Sequence, residues 1–422
     1  MDAIVLRGNG PLKGTVPIGG SKNAALPILT AAILFDSELR IDNVPRLRDI
    51  GTLLRLLETL GVSGTQEGHV VRLNGAGLHS CEAPWDLVRR MRASIYVLGP
   101  LLARLGEAKV SLPGGCAWGP RPVDLHVSAM EALGAEVQVE HGYLLARAPK
   151  TGLRGGRITF AISSVGATCN ALLAAATARG ETMLENAAAE PEVVSLVEFL
   201  NACGARIEGQ GGKTMHVHGV ERLTPAPFAV IPDRIEAGTF LAAAGITGGE
   251  LELTGCAPAH LDSVIHTIRD MGSRVDVEGD RIRVRGEIPP RGVHVVTEPY
   301  PGFPTDMQAQ IMALATVGIG PSVITDTVYH DRFTHVPELV RLGADIRLDG
   351  NTAVVRPCGG LSGANVMATD LRASAALILA GLVADGETKV SRVYHIDRGY
   401  ERIEEKLRAV GADIERVQEE GP

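Results

Sequence analysis

Asp270-Met271-Gly272-Ser273, followed by Arg274-Val275-Asp276-Val277 and Arg281-Ile282-Arg283-Val284-Arg285, is the passage on which the fold turns. A hydrophobe and a glycine end an amphipathic helical stretch, and the glycine stands where a helix terminus needs a left-handed residue. The two runs after it alternate apolar and charged residues, which reads as a hairpin with one face in solvent. The same phrase recurs at Thr59-Leu60-Gly61-Val62, Ala132-Leu133-Gly134-Ala135, Ala202-Cys203-Gly204-Ala205, Arg341-Leu342-Gly343-Ala344 and Ala409-Val410-Gly411-Ala412. The glycines are 73, 70, 68, 71 and 68 residues apart, so the whole chain is an array of six helix-to-hairpin units.

Upstream in each unit lies a helix of another kind, as in Ala24-Ala25-Leu26-Pro27-Ile28-Leu29-Thr30-Ala31-Ala32-Ile33-Leu34 or Ser374-Ala375-Ala376-Leu377-Ile378-Leu379-Ala380-Gly381-Leu382. A helix without a polar face must be surrounded, so these Ala-rich helices belong inside and the hairpins and amphipathic helices form the wall. Six units in 422 residues match two domains of three units each, with a joint near Ala226-Pro227-Phe228-Ala229-Val230-Ile231-Pro232.

Composition narrows the function. Hydrophobic residues make up 45% and charged residues 21%, which describes a folded, turn-rich protein. A net charge of −8 is a poor fit to a nucleic-acid clamp, and any anion site must be local. No basic-then-apolar leader and no run of 18 apolar residues occurs, so we expect no membrane partner and a cytoplasmic location. The six cysteines (81, 116, 169, 203, 256 and 358) are far apart, without a CxxC pair or nearby histidines at metal-ligand spacing, and read as free thiols with no metal site. We expect no cofactor.

One unit is longer than the rest. From strand hydrophobe to repeat glycine the gaps are 20, 24, 20, 19, 19 and 21 residues, and the second unit spends its excess on Pro113-Gly114-Gly115-Cys116-Ala117-Trp118-Gly119-Pro120-Arg121-Pro122. Added loop on a repeated scaffold is where function is often placed. The inner helices begin at Ser21-Lys22-Asn23, Arg92-Ala93-Ser94, Ser164-Val165-Gly166-Ala167-Thr168, Asp233-Arg234-Ile235-Glu236, Thr305-Asp306-Met307 and Thr369-Asp370-Leu371-Arg372, a series rich in capping residues. If the units are alike, three positive helix ends per domain point the same way and suit phosphates or carboxylates. Lys22, Arg92, Arg121, Arg332, Arg372 and Arg398 then read as a cationic lining, while Asp306 and Asp370 read equally as plain helix caps.

At Gly20-Ser21-Lys22-Asn23-Ala24, Pro113-Gly114-Gly115-Cys116, Arg121-Pro122-Val123-Asp124-Leu125-His126, Phe303-Pro304-Thr305-Asp306-Met307-Gln308-Ala309-Gln310 and His395-Ile396-Asp397-Arg398-Gly399-Tyr400 the chain resembles, end to end, the enolpyruvyl transferases that take UDP-N-acetylglucosamine as acceptor. The resemblance implies an α/β (α+β) fold of two inside-out α/β barrel domains, each of three β-α-β-α-β-β units. It places the domains at 22–231 and at 1–21 plus 232–422, with the site in the cleft between them. The implied reaction moves the enolpyruvyl group of phosphoenolpyruvate to the sugar 3-hydroxyl and releases phosphate, the first committed step of peptidoglycan precursor synthesis.

The resemblance also supplies roles. Lys22, Arg121 and Arg398 would hold phosphoenolpyruvate, with Asn23 beside it and Arg332 and Arg372 near its carboxylate. The uridine nucleotide would lie along Arg121, Pro122, Val123, Asp124 and Leu125 and along Ser164, Val165 and Gly166, faced by Arg92, with Val328 a further substrate contact. Cys116 would act as acid or as covalent adduct former, helped by nearby cations, and Asp306 as base for the hydroxyl, with Lys22 and Arg398 completing the catalytic set. The glycines at 114, 115 and 119 suit a lid over the bound nucleotide sugar. Ile162, Ala117-Trp118 and His330-Asp331 depart from the residues expected in relatives. A shikimate-phosphate enolpyruvyl transferase and a silent UDP-sugar-binding paralogue are the alternative readings, and the oligomeric state stays open.

Overall fold

Every one of the six repeat glycines ends its helix in the left-handed region, with φ of 101° at Gly61, 88° at Gly134, 97° at Gly204, 106° at Gly272, 97° at Gly343 and 100° at Gly411. Only a residue without Cβ takes that conformation at no cost, which is why the phrase survives in each unit. The computed structural model describes residues 2–89, 91–112, 123–329 and 331–418, with the side chain of Arg92 not described.

The chain divides into two compact units, Met1–Gly19 with Pro232–Pro422, and Gly20–Ile231. Among the described residues six four-stranded sheets share one plan: an outer strand parallel to the second, and the remaining neighbours antiparallel. In the sheet His294–Thr297, Ser322–Asp326, Thr352–Arg356, Asp345–Asp349, all four strands come from consecutive sequence. Two other sheets are built the same way, and the remaining three each take in a strand from a distant part of the chain. Within Gly20–Ile231 the last strand, Phe228–Ala229, lies parallel to Glu38–Asp42 of the first sheet. Within the other unit the N-terminal segment closes two gaps. Asp2–Arg7 is inserted between Glu387–Ser391 and Asp413–Gln418, and Lys13–Pro17 lies parallel to Glu250–Thr254.

Inside each unit sit the Ala-rich helices. Gln308–Thr316 and Ala373–Gly381 are buried at every position, and in that unit both touch Arg234–Thr247. Small residues make this possible. In the other unit a Cβ on Gly99, in the helix Leu98–Leu105, would lie 2.4 Å from the Asn170 carbonyl on the neighbouring helix Val165–Ala175. The starts differ in detail from the sequence reading: Arg92 and Thr305 open 3₁₀ turns, Arg92–Val97 and Thr305–Met307, before the α-helical geometry begins at Leu98 and Gln308.

Candidate functional site

In the 232–422 unit the starts of the three inner helices carry interlocked charges. Asp233 caps Arg234–Thr247: its Oδ1 accepts from the amides of Ile235 and Glu236 at 2.9 and 3.0 Å, and its Oδ2 accepts from Arg372 Nη2 at 2.9 Å. Arg372 is buried, donates from Nη1 to the Gly399 carbonyl at 2.8 Å, and lies 5.0 Å from the centre of the Tyr400 ring. Asp370 repeats the device one helix on. Its Oδ1 accepts from the amides of Arg372 and Ala373, both at 2.8 Å, and stands 3.5 Å from Arg332 Nη2.

Asp306 sits between the two guanidinium groups. Arg332 Nη1 donates to its Oδ1 at 2.7 Å, and Arg372 Nε approaches its Oδ2 to 4.0 Å. That Nε, buried, has no hydrogen-bond partner among the described residues. Burial works against the charge on both arginines, but Asp370 with Asp306, and Asp233, outweigh it and push the two guanidinium pKa values up. Burial likewise opposes ionisation of Asp233 and Asp370, and Arg372 and Arg332 reverse that, leaving both carboxyls below their ordinary value. The quartet is therefore fully charged at neutral pH.

The neighbouring turn is wired to the same place. Buried Asp326 accepts from Thr297 Oγ1 at 2.8 Å, Thr305 Oγ1 at 2.6 Å and the amides of Val328 and Tyr329 at 3.0 and 2.8 Å, so it fixes the exposed Val328 turn against the start of the Asp306 helix. Arg398 ends the 3₁₀ turn Val393–Arg398, one residue before the Gly399 carbonyl that receives Arg372. Beneath lie Tyr400, whose hydroxyl is 2.8 Å from Thr239 Oγ1 and accepts from Gln310 Nε2 at 3.2 Å, and the fully buried His335. Burial, the largest influence, brings the His335 ring down to about 4, so it is neutral.

In the Gly20–Ile231 unit, Ser21 caps Lys22–Thr30, and Lys22 is buried with Nζ 3.4 Å from Asp49 Oδ2. Asn23 is half-buried beside it. Ser164 caps Val165–Ala175 by accepting from the Ala167 amide at 3.3 Å. The helix Asp124–Ala132 reaches the same spot. His126 lies so close to Gly166 that a Cβ there would be 3.3 Å from the ring, and its Nδ1 is 3.0 Å from Asn170 Nδ2. Val123, Asp124 and Leu125 thus share a surface with Ser164, Val165 and Gly166, and Ile162 nearby is exposed.

Cys116, Arg121 and Pro122, with Ala117, Trp118 and His330, lie outside the described residues, as does the side chain of Arg92. Asp233, Asp326, Asp49 and His335 were missed as parts of a site. Asp233 alone had a usable signal, since Asp233-Arg234 and Asp370-Leu371-Arg372 put the same capping residue at equivalent helix starts.

A family model described as EPSP synthase (3-phosphoshikimate 1-carboxyvinyltransferase) matches residues 6–407. A UDP-N-acetylglucosamine 1-carboxyvinyltransferase of Zymomonas mobilis is 54% identical over 424 residues, covering 99% of this chain and 100% of the relative. One from Nitratidesulfovibrio vulgaris is 56% identical over 420 residues, with the same coverage. The crystal structure of the enolpyruvyl transferase NikO from Streptomyces tendae matches with a TM-score of 0.87 at 28% identity, over 99% of both chains. EPSP synthase from Acinetobacter baumannii matches with a TM-score of 0.76 at 18% identity, over 99% of this chain, a likeness of fold alone.

Proposed function

The chain belongs to the enolpyruvyl transferases of the EPSP synthase family, and from that premise we propose that it transfers the enolpyruvyl group of phosphoenolpyruvate to the 3-hydroxyl of UDP-N-acetylglucosamine and releases phosphate. The observation that supports the site is Asp306 set between Arg332 and Arg372, two buried guanidinium groups held charged by their own capping carboxylates. Such donors, oriented before substrate arrives, suit a planar carboxylate and stabilise charge that develops during reaction.

In this reading Asp306 takes the proton of the 3-hydroxyl as its oxygen attacks C2 of phosphoenolpyruvate, while Cys116 delivers a proton to C3. The product is a tetrahedral ketal that still carries the phosphate. Loss of one C3 proton and of phosphate restores the double bond in the transferred enol ether, so atoms and charge balance. Lys22, Arg121 and Arg398 hold the phosphate, and Asn23, Arg332 and Arg372 hold the rest of the three-carbon unit. The nucleotide runs along Arg121, Pro122, Val123, Asp124 and Leu125 and Ser164, Val165 and Gly166, with Arg92 and Val328 as further contacts. Removing the thiol at position 116 leaves C3 without its acid.

We place the protein in the cytosol, where its two phosphorylated substrates occur; among the described residues no helix is long and apolar enough to cross a membrane. Phosphate release by the purified protein, given phosphoenolpyruvate and UDP-N-acetylglucosamine, tests the reading beside Cys116→Ala. A parent protein that binds the UDP-sugar without releasing phosphate would favour the silent paralogue, and turnover with a shikimate phosphate the other enzyme.

A further inference from the structure

Arg416 lies on the last strand, Asp413–Gln418, outside every group of site residues assigned above, yet its guanidinium is ringed by carboxylates from three other elements. Nη2 and Nη1 donate to the two oxygens of Asp397 at 2.6 and 3.1 Å. Nε and Nη2 donate to the two oxygens of Glu404 at 2.8 and 3.2 Å, and Nη1 reaches Asp2 on the first strand at 3.3 Å. Two forks on one planar group fix its position and its plane together.

The partners matter because of what they flank. Asp397 immediately precedes Arg398 at the end of the turn Val393–Arg398, and Glu404 opens the helix Ile403–Ala409 just beyond it. The segment that carries Asp397 and Arg398 is entered through Arg392 at φ 57° and left through Arg402 at φ 47°, two non-glycine residues in the left-handed region. Its backbone path is thus one that local preference does not choose, and contacts elsewhere must hold it. Arg416 holds this segment at Asp397, in its middle, and the helix just past its exit at Glu404.

Magnitude says what the grip is for. The side chains of Arg416 and Asp397 are each 25% exposed, so this pair adds little net stability, whereas Glu404, 6% exposed, makes the other fork a largely buried one. Their geometry, by contrast, is fully specified. We propose that Arg416 is a positioning residue, which through its fork with Asp397 aims Arg398 at the phosphate of phosphoenolpyruvate. The inference rests on the reading of Arg398 given above.

The test uses the full-length protein, with steady-state phosphate release and thermal unfolding by circular dichroism. R416A and D397N each lower kcat/KM for phosphoenolpyruvate about 10- to 100-fold, the scale of a misaimed contact, with the loss in KM. The KM for UDP-N-acetylglucosamine stays near the parent's in both, and so does the melting temperature of D397N, whereas R416A, which leaves the buried Glu404 carboxylate without its fork, melts lower. R416K, which keeps the charge without the fork, recovers part of the loss, and the D397N/R416A double variant is no worse than the worse single one, because both cut one connection. E404Q leaves the Asp397 fork and stays close to the parent. If R416A does not fold, D397N carries the same prediction. An impaired R398A beside unimpaired R416A and D397N overturns the inference alone, as do additive losses in the double variant. An unimpaired R398A overturns the reading of Arg398 and the inference with it.

Discussion

Replacing Asp233 with Asn removes one charge from the most deeply buried ion pair described here and leaves shape almost unchanged. Arg372 and Asp233 expose 1% and 5% of their side chains and meet at 2.9 Å. Asn keeps an Oδ1 to cap Ile235 and Glu236, so the helix start survives, but its amide faces a donor with a donor. Breaking a buried pair while its other charge remains costs about 3–5 kcal/mol. Asp306, whose Oδ2 is 4.0 Å from Nε, is among the described residues the nearest other carboxylate to the Arg372 guanidinium and offsets only part of this. In a unit of about 200 residues each kcal/mol moves the melting temperature by about 2–4 °C, so D233N melts about 6–20 °C below the parent at pH 7. Asp233→Ala, which also loses the cap, costs about 1 kcal/mol more. The pH dependence has a definite sign. The folded-state pKa of Asp233 is below its ordinary 3.8, because Arg372 outweighs burial, so the pair's contribution is complete above that value and is lost as pH falls through the folded pKa. The gap between parent and D233N therefore closes in strong acid. Calorimetry across pH 3–7 checks this, and a D233N protein melting within about 2 °C of the parent at pH 7 would refute the claim that the pair organises the helix starts.

Other outcomes follow from single sites. D306N lowers phosphate release by about 10²–10⁴-fold, the usual worth of a general base, while calorimetric titration still shows UDP-N-acetylglucosamine binding; near-parent turnover removes Asp306 as base. Among the described residues His335 has neither ring nitrogen hydrogen-bonded, and its ring stays neutral down to about pH 4 while the unfolded chain takes up a proton near 6.5. The parent thus loses stability as pH falls from about 6.5 to about 4, and H335L, lacking that proton uptake, flattens this limb of the stability profile measured by urea unfolding. Gly343→Ala, at φ 97° with its nearest neighbour at 3.9 Å, meets no clash, and so isolates backbone strain: about 1–2 kcal/mol less stable. Gly51→Ala, inside the helix Arg48–Leu60 with open space around it, goes the other way by about 0.5–1 kcal/mol; equal signs for the two would overturn the conformational argument.

What could be read ahead of the structure was whatever the chain dictates locally. A helix terminus needs its left-handed residue within one turn, so six glycines announce six units, and all six adopt that conformation. Alternation over five residues marks each hairpin because a strand shows its two faces residue by residue. Partnership was illegible. Asp233 and Arg372 are 139 positions apart, Asp306 and Arg332 are 26 apart, and nothing in composition or period says which carboxylate meets which guanidinium. Asp370 reads as a cap and is one, but its second role, facing Arg332, exists only once two helix starts adjoin. The insertion of Asp2–Arg7 between Glu387–Ser391 and Asp413–Gln418 is likewise invisible to a local reading, because a strand's partner depends on where the fold needs closing.

The two roles of Asp233 and Asp370 are one physical device used twice. A carboxylate at a helix start already lies where backbone amides converge, and Oδ1 of each is bound by two of them. That fixes the side-chain rotamer at no extra entropy, because the cap orders it anyway. Asp233 turns its other oxygen, Oδ2, to Arg372, while Asp370 lets its capping oxygen face Arg332 as well. The helix end thereby orients a guanidinium it does not carry. Lys22 follows a different rule, since its carboxylate, Asp49, stands in the first turn of an outer helix instead of at a cap. Arginines held this way have met their desolvation cost during folding, and an arriving anion need only replace Asp306 as the neighbour of groups already in place. An anion that engages both arginines must compete with Asp306, so under the base role proposed above for Asp306, binding and release of that carboxylate are coupled: substrate drawn onto Arg332 would loosen the 2.7 Å contact that now occupies it. R332K, which keeps a charge but forms no fork, should therefore weaken phosphoenolpyruvate binding and shift the acid limb of the kcat profile together; a shift in one without the other would show that Asp306 is not freed by the incoming carboxylate.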